Sequence, residues 1–102
     1  MAELGYPLTL FADVDFAGFH KHIFLYNGES NMFLYDFNDC TSSIYIVEGQ
    51  WEFYRDANLQ NPYTDANGNT IVLGPFRYLA VDASNCLGPG SNDTLSSLKR
   101  VG

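Results

Sequence analysis

Basic residues are scarce in this chain. Five Lys plus Arg stand against twelve Asp plus Glu among 102 residues, a formal net charge of −7. A surface of that sign repels phosphate backbones and anionic lipid, so neither nucleic acid nor a membrane surface is an expected partner. Long apolar runs are missing as well, and nothing approaches the ~20 residues of a membrane-spanning helix. The opening stretch MAELGYPLTLFADVD has no basic n-region and no apolar h-region. With no leader to read, a cytoplasmic setting is the expectation, and secretion stays open if the chain has been trimmed. Cysteine is limited to Cys40 and Cys86, which form no C-x-x-C motif. Their redox state follows from a compartment that the residues do not name. No Ser, Cys or His belongs to a visible nucleophile–base constellation, so the chain is not read as an enzyme.

Helical periodicity is almost absent. Short runs rich in β-branched and aromatic residues recur instead between turn signals. Strands are expected near 7–12, 20–26, 32–37, 42–48, 50–55, 70–73, 76–81 and 95–100, with a short helical turn around 82–88. Asn27-Gly28 and Asn67-Gly68 are hairpin signals, because both residue types tolerate the positive φ of tight primed turns. The expected fold is all-β, an antiparallel sandwich in one domain spanning 1–102. Eight Phe, seven Tyr and one Trp supply bulk for its core. Trp51, Phe53, Tyr54, Tyr45 and Tyr35 are read as packing aromatics.

The chain repeats itself. Phe11-Ala-Asp-Val-Asp-Phe16-Ala-Gly18 lays over Tyr54-Arg-Asp-Ala-Asn-Leu59-Gln-Asn61, and FNDCTSS (37–43) is matched by SNDTLSS (91–97). Phe11 to Asn38 spans 27 residues and Tyr54 to Asn92 spans 38, so the second copy is 11 residues longer. NPYTDANGNT and SNCLGPG are the natural places for that excess. A duplicated four-strand unit is what a pair of Greek keys looks like in sequence, here about 7–48 and 50–102. One isolated Asn-Asp-x-x-Ser-Ser would be an Asx-turn followed by hydroxyls that satisfy loop backbone. Two copies at equivalent places bring carboxylate, amide and hydroxyl oxygens together, the hard donors that Ca²⁺ prefers. One acidic side chain per site implies modest affinity.

The N/D-N/D-x-x-S/T-S motif, written twice and each time preceded by an aromatic hairpin, resembles the calcium-binding βγ-crystallin family. WEFYRDAN (51–58) and LGP (73–75) are similar to its microbial single-domain members. The resemblance runs from about Leu8 to Val101. It implies a sandwich of two four-stranded Greek keys with two Ca²⁺ ions side by side at one end, each ion drawing donors from both keys. Asp39 and Asp93 would supply carboxylates. Ser42 and Ser96 would each give a hydroxyl to the site dominated by the other key. Carbonyls would come from around Asn38 and Asn92 and from the hairpins near Ala12 and Arg55. Ser43 and Ser97 would tie the hairpins down. The implied role is structural or stress-related, in a monomer whose partners are calcium ions.

Some residues depart from that pattern. In the second hairpin Leu59 replaces the aromatic and Asn61 replaces Gly, and an inward-pointing Arg55 guanidinium would oppose a cation there. The alternatives are a secreted inhibitor or toxin of double-Greek-key type, with Cys40 and Cys86 oxidised and a reactive loop near 61–70, or a crystallin whose calcium motifs are relics. Asp65 to Phe76 lacks the Gly and Glu of an EF-hand, so it is read as a hairpin turn. His20 and His22, two apart on a strand, share a face that could meet a transition metal. With no third ligand evident, the plainer reading is a solvent-facing pair.

Overall fold

Alternation along the strands decides what is inside. Leu8, Leu10, Ile44 and Ile46 are fully buried, whereas Phe11 and Tyr45, one step out of phase, are not. The same rule runs through Trp51 and Phe53, which meet Leu98 in the core. These contacts come from a computed structural model that describes residues 7–23 and 39–102. The expected strand at 32–37, the Asn27-Gly28 turn, Tyr35 and Asn38 lie outside the described residues.

Among the described residues there are eight strands: β1 (Leu8–Asp13), β2 (Ala17–Ile23), β3 (Ser43–Ile46), β4 (Trp51–Asp56), β5 (Gln60–Pro62), β6 (Val72–Leu73), β7 (Phe76–Tyr78) and β8 (Ser97–Arg100). A one-turn 3-10 helix, Val14–Phe16, joins β1 to β2. They form two antiparallel sheets. One has the order β2-β1-β3-β7, and in the other β4 is central with β8 pairing along it and β5 and β6 as its other partners. β7 belongs to the second half of the chain yet pairs with β3, with Ile44 opposite Tyr78. The first half's sheet is thus completed by the second half. Each buried side chain at this junction contributes roughly 1.5–3 kcal/mol by leaving water.

The pairing along β4 shows where the chain leaves the second sheet. Trp51 faces Leu73 and Tyr54 faces Pro62, so three residues of β4 span what takes eleven on its partner side, and eight are looped out. The excursion is itself a hairpin. Thr64 bridges Thr70, Asp65 Oδ1 accepts from the amides of Asn67 (2.9 Å) and Asn69 (3.0 Å), and Gly68 takes φ +85°. The expected turn at Asn67-Gly68 is therefore present, at the tip of the looped-out residues.

Three expectations need correction. β5 was not expected, because Gln60, Asn61 and Pro62 are exposed and Pro62 reads as a breaker. It forms at a position where a single edge suffices. The helical turn at 82–88 is a run of β-turns, with Ala83 N bonded to Ala80 O and Cys86 N to Ala83 O. Tyr45 is an outward residue, stacked with Phe16 at 5.7 Å and covered by Arg77.

Candidate metal centre

The hairpins that open each repeat are built alike. Phe16 and Leu59, which are not glycines, adopt φ of 61° and 60°, a conformation costing about 1–2 kcal/mol per residue. A serine compensates in each. Ser43 Oγ accepts from Phe16 N (3.1 Å) and donates to Asp13 O (2.6 Å). Ser97 Oγ accepts from Leu59 N (3.2 Å) and donates to Asp56 O (2.6 Å). Gly18 has φ +77°, and its counterpart Asn61 has φ 58°. Asn61 adopts that conformation with its side-chain amide donating to Asp56 Oδ2.

The second half of each motif reaches across to the other repeat. Asp39 and Asp93 are both left-handed, at φ 59°. Asp39 N donates to Leu95 O (2.9 Å), and Asp93 N donates to Thr41 O (3.0 Å). Ser42 Oγ donates to Asp93 Oδ1 and Ser96 Oγ to Asp39 Oδ1, both at 3.1 Å. Ser42 N is bonded to Phe11 O and Ser96 N to Tyr54 O, which places Ala12 beside Ser42 and Arg55 beside Ser96. The candidate residues therefore gather as two crossed sets: Asp93, Ser42 and Ala12, and Asp39, Ser96 and Arg55. Both carboxylates are exposed while both hydroxyls are buried.

Cys40 links the two sets. Burial pushes its thiol pKa up, and the Asp93 and Asp39 carboxylates push it further, so it feels both acidic groups. Cys86 lies in the core, where burial raises its thiol to about 12. Cys40 and Cys86 are not joined to each other, so the oxidised pair expected of an inhibitor or toxin is not formed.

The Arg55 guanidinium lies over the Tyr63 ring at 4.4 Å, which gives it a partner. Sequence reasoning missed Tyr63, which is buried and shares a 2.6 Å hydrogen bond with Thr94 Oγ1. Burial raises the Tyr63 hydroxyl most strongly, and Arg55 opposes that shift while Asp39 and Asp56 add to it. Its only signal was an aromatic set in an otherwise polar run. Asp82 was also missed. Its Oδ1 accepts from Asn92 N (2.7 Å) and from Ser91 Oγ (3.3 Å), which fixes the start of the second motif.

Among the described residues no three His, Cys, Asp or Glu side chains cluster as a metal-ligating group. The arrangement instead offers one carboxylate and one hydroxyl per set beside hairpin carbonyls. Oxygens that share one Ca²⁺ at about 2.3–2.6 Å sit about 3 Å apart when adjacent, and the two Ser–Asp pairs have that spacing. The donor set fits a hard cation.

Known structures with this architecture are βγ-crystallin domains. The βγ-crystallin of Ciona intestinalis is 28% identical, with a TM-score of 0.72 over 92% of this chain and 98% of its own. A transition-metal-ion-binding βγ-crystallin from Methanosaeta thermophila is also 28% identical, with a TM-score of 0.71 over 92% and 99%. A clostrillin double mutant with two serines replaced by histidine, in complex with nickel, is 18% identical, with a TM-score of 0.64 over 93% and 97%. No family model and no curated protein matches the sequence. The chain has the βγ-crystallin Greek key fold, and proteins of that fold include metal-ion binders.

Proposed function

We propose that this protein binds two Ca²⁺ ions at the crossed sets and that calcium stabilises its fold. The observation that carries this reading is the reciprocal pairing of Ser42 with Asp93 and of Ser96 with Asp39. Each set takes its carboxylate from one repeat and its hydroxyl from the other, so an ion held by both would clamp the repeats together. Bound calcium supplies charge neutralisation between oxygens that otherwise meet only through a hydrogen bond. Asp39 and Asp93 provide the charge, Ser42 and Ser96 the neutral oxygen, and Ala12 and Arg55 their carbonyls, with further donors near Asn38 and Asn92. The oxygen-only character favours Ca²⁺ over the transition ions bound by the Methanosaeta relative.

One carboxylate per ion keeps the affinity modest, of order 10⁻⁵–10⁻³ M. At ten times the Kd, each site adds about 1.4 kcal/mol of stability by mass action. That fits a structural or stress-related protein whose stability follows the calcium supply. Calorimetric titration of the metal-free protein should give two equivalents of Ca²⁺, falling to one in Asp39→Ala and in Asp93→Ala. An unchanged stoichiometry in either variant would remove that carboxylate from the proposal.

A further inference from the structure

Between β7 and β8, residues 79–96 run as successive turns and bends, yet they carry Asn92 and Asp93 of the second motif. Without a ladder to hold them, single backbone bonds and side chains must place these two residues. Val81 is the inner anchor: it is buried, and its amide donates to Ser42 O at 2.8 Å. Its neighbour Asp82 is exposed, and Asp82 Oδ1 accepts from Asn92 N at 2.7 Å. Ser91 is fully buried and lies within reach of Val81 O (2.8 Å) and Gly88 O (2.6 Å).

These bonds close a ring around one of the crossed sets. From Ser42 O the path runs to Val81 N, along the chain to Asp82 Oδ1 and across to Asn92 N. It continues to Asp93 Oδ1 and returns to Ser42 Oγ at 3.1 Å. A second tie, from Asp93 N to Thr41 O at 3.0 Å, joins the same two stretches. Ser91 cannot take the place of Asp82 in the ring. Its hydroxyl has one hydrogen for three acceptors, Val81 O, Gly88 O and Asp82 Oδ1, and none of them is on Asn92. A carboxylate accepting from a backbone amide is roughly twice as strong a bond as a neutral pair, so Asp82 is the firm closure.

We propose that Asp82 is a positioning residue for the cation set of Asp93, Ser42 and Ala12. It holds Asn92, and through it the spacing of Asp93 from Ser42, without touching the ion. This inference rests on the calcium reading above. Partners that stand behind a ligand typically carry about 10–100-fold of metal affinity. The ring does not pass through Asp39, Ser96 or Arg55, so the effect belongs to one ion and makes the two sites separable.

The test compares Asp82→Ala with Asp82→Asn, which keeps an acceptor oxygen for Asn92 N. In calorimetric titration of the metal-free proteins with CaCl₂, Asp82→Ala should weaken one equivalent at least about tenfold and leave the other within about twofold. Asp82→Asn should lose less. Added to Asp39→Ala, Asp82→Ala should weaken the equivalent that remains; added to Asp93→Ala, it should not. Without calcium, amide hydrogen exchange at Asn92 should rise at least about tenfold in Asp82→Ala, with the β4–β8 ladder amides unchanged. An unchanged titration, equal weakening of both equivalents, equal losses in the two variants, or unchanged Asn92 exchange would overturn the role of Asp82 and leave the calcium sites standing. A parent protein that takes up no calcium would instead overturn the reading beneath it, and this inference with it.

Discussion

At the scale of single residues, Ser43 and Ser97 are the points on which both hairpins close. Each is fully buried and joins a left-handed residue's amide to a carbonyl three residues upstream of it. Ser43→Ala and Ser97→Ala should each cost about 1–3 kcal/mol in urea denaturation, since both partners are left unsatisfied. Thr41 presents the reverse case. Its hydroxyl is buried and finds no hydrogen-bond partner among the described residues, while Leu95 occupies the equivalent place in the other motif. Thr41→Val should be neutral or stabilising by up to about 2 kcal/mol in the same measurement, and a marked loss would show that the hydroxyl has a partner after all. The serine pairs were legible because the motif is written twice. The state of the cysteines was not, since sequence spacing says nothing of how Cys40 and Cys86 point.

At the scale of elements, the inserted excursion between β5 and β6 is anchored in the core. Tyr63 stands at its base, buried in the hydrophobic cluster, bonded to Thr94 and covered by Arg55. Tyr63→Ala should therefore cost about 3–5 kcal/mol, as for a core aromatic, and Tyr63→Phe about 1 kcal/mol. Equal small effects from both, read from denaturation midpoints, would mark the segment as a dispensable loop. Most of the sheets was legible because Leu8 and Leu10, Ile44 and Ile46, and Trp51 and Phe53 recur at a spacing of two and turn residues separate the strands. β5 escaped because Gln60–Pro62 has no apolar side to advertise it, and its register is set by the hairpin that Asn61 and Leu59 close. Tyr45 was placed in the core on bulk alone, whereas its phase relative to Ile44 and Ile46 already put it outside.

At the scale of the whole molecule, neither repeat is complete without the other. β7 finishes the first repeat's sheet, and each motif's amide, carboxylate and hydroxyl bond across to the opposite motif. Unfolding should accordingly be a single cooperative transition. The whole chain carries seven excess negative charges, and Asp39 and Asp93 stand at the crossed contacts between the two repeats, so a cation held there would improve the charge balance. The most direct test of this account is the calcium-induced shift in melting temperature of the metal-free protein, compared with that of Asp39→Ala and Asp93→Ala. The shift is the quantity to compare, because Ala in a left-handed conformation lowers stability by itself. With both sites at ten times their Kd, a rise of roughly 10–20 °C is predicted for the parent, about halved in each variant. An unchanged melting temperature at millimolar calcium, or equal shifts in all three proteins, would contradict the account.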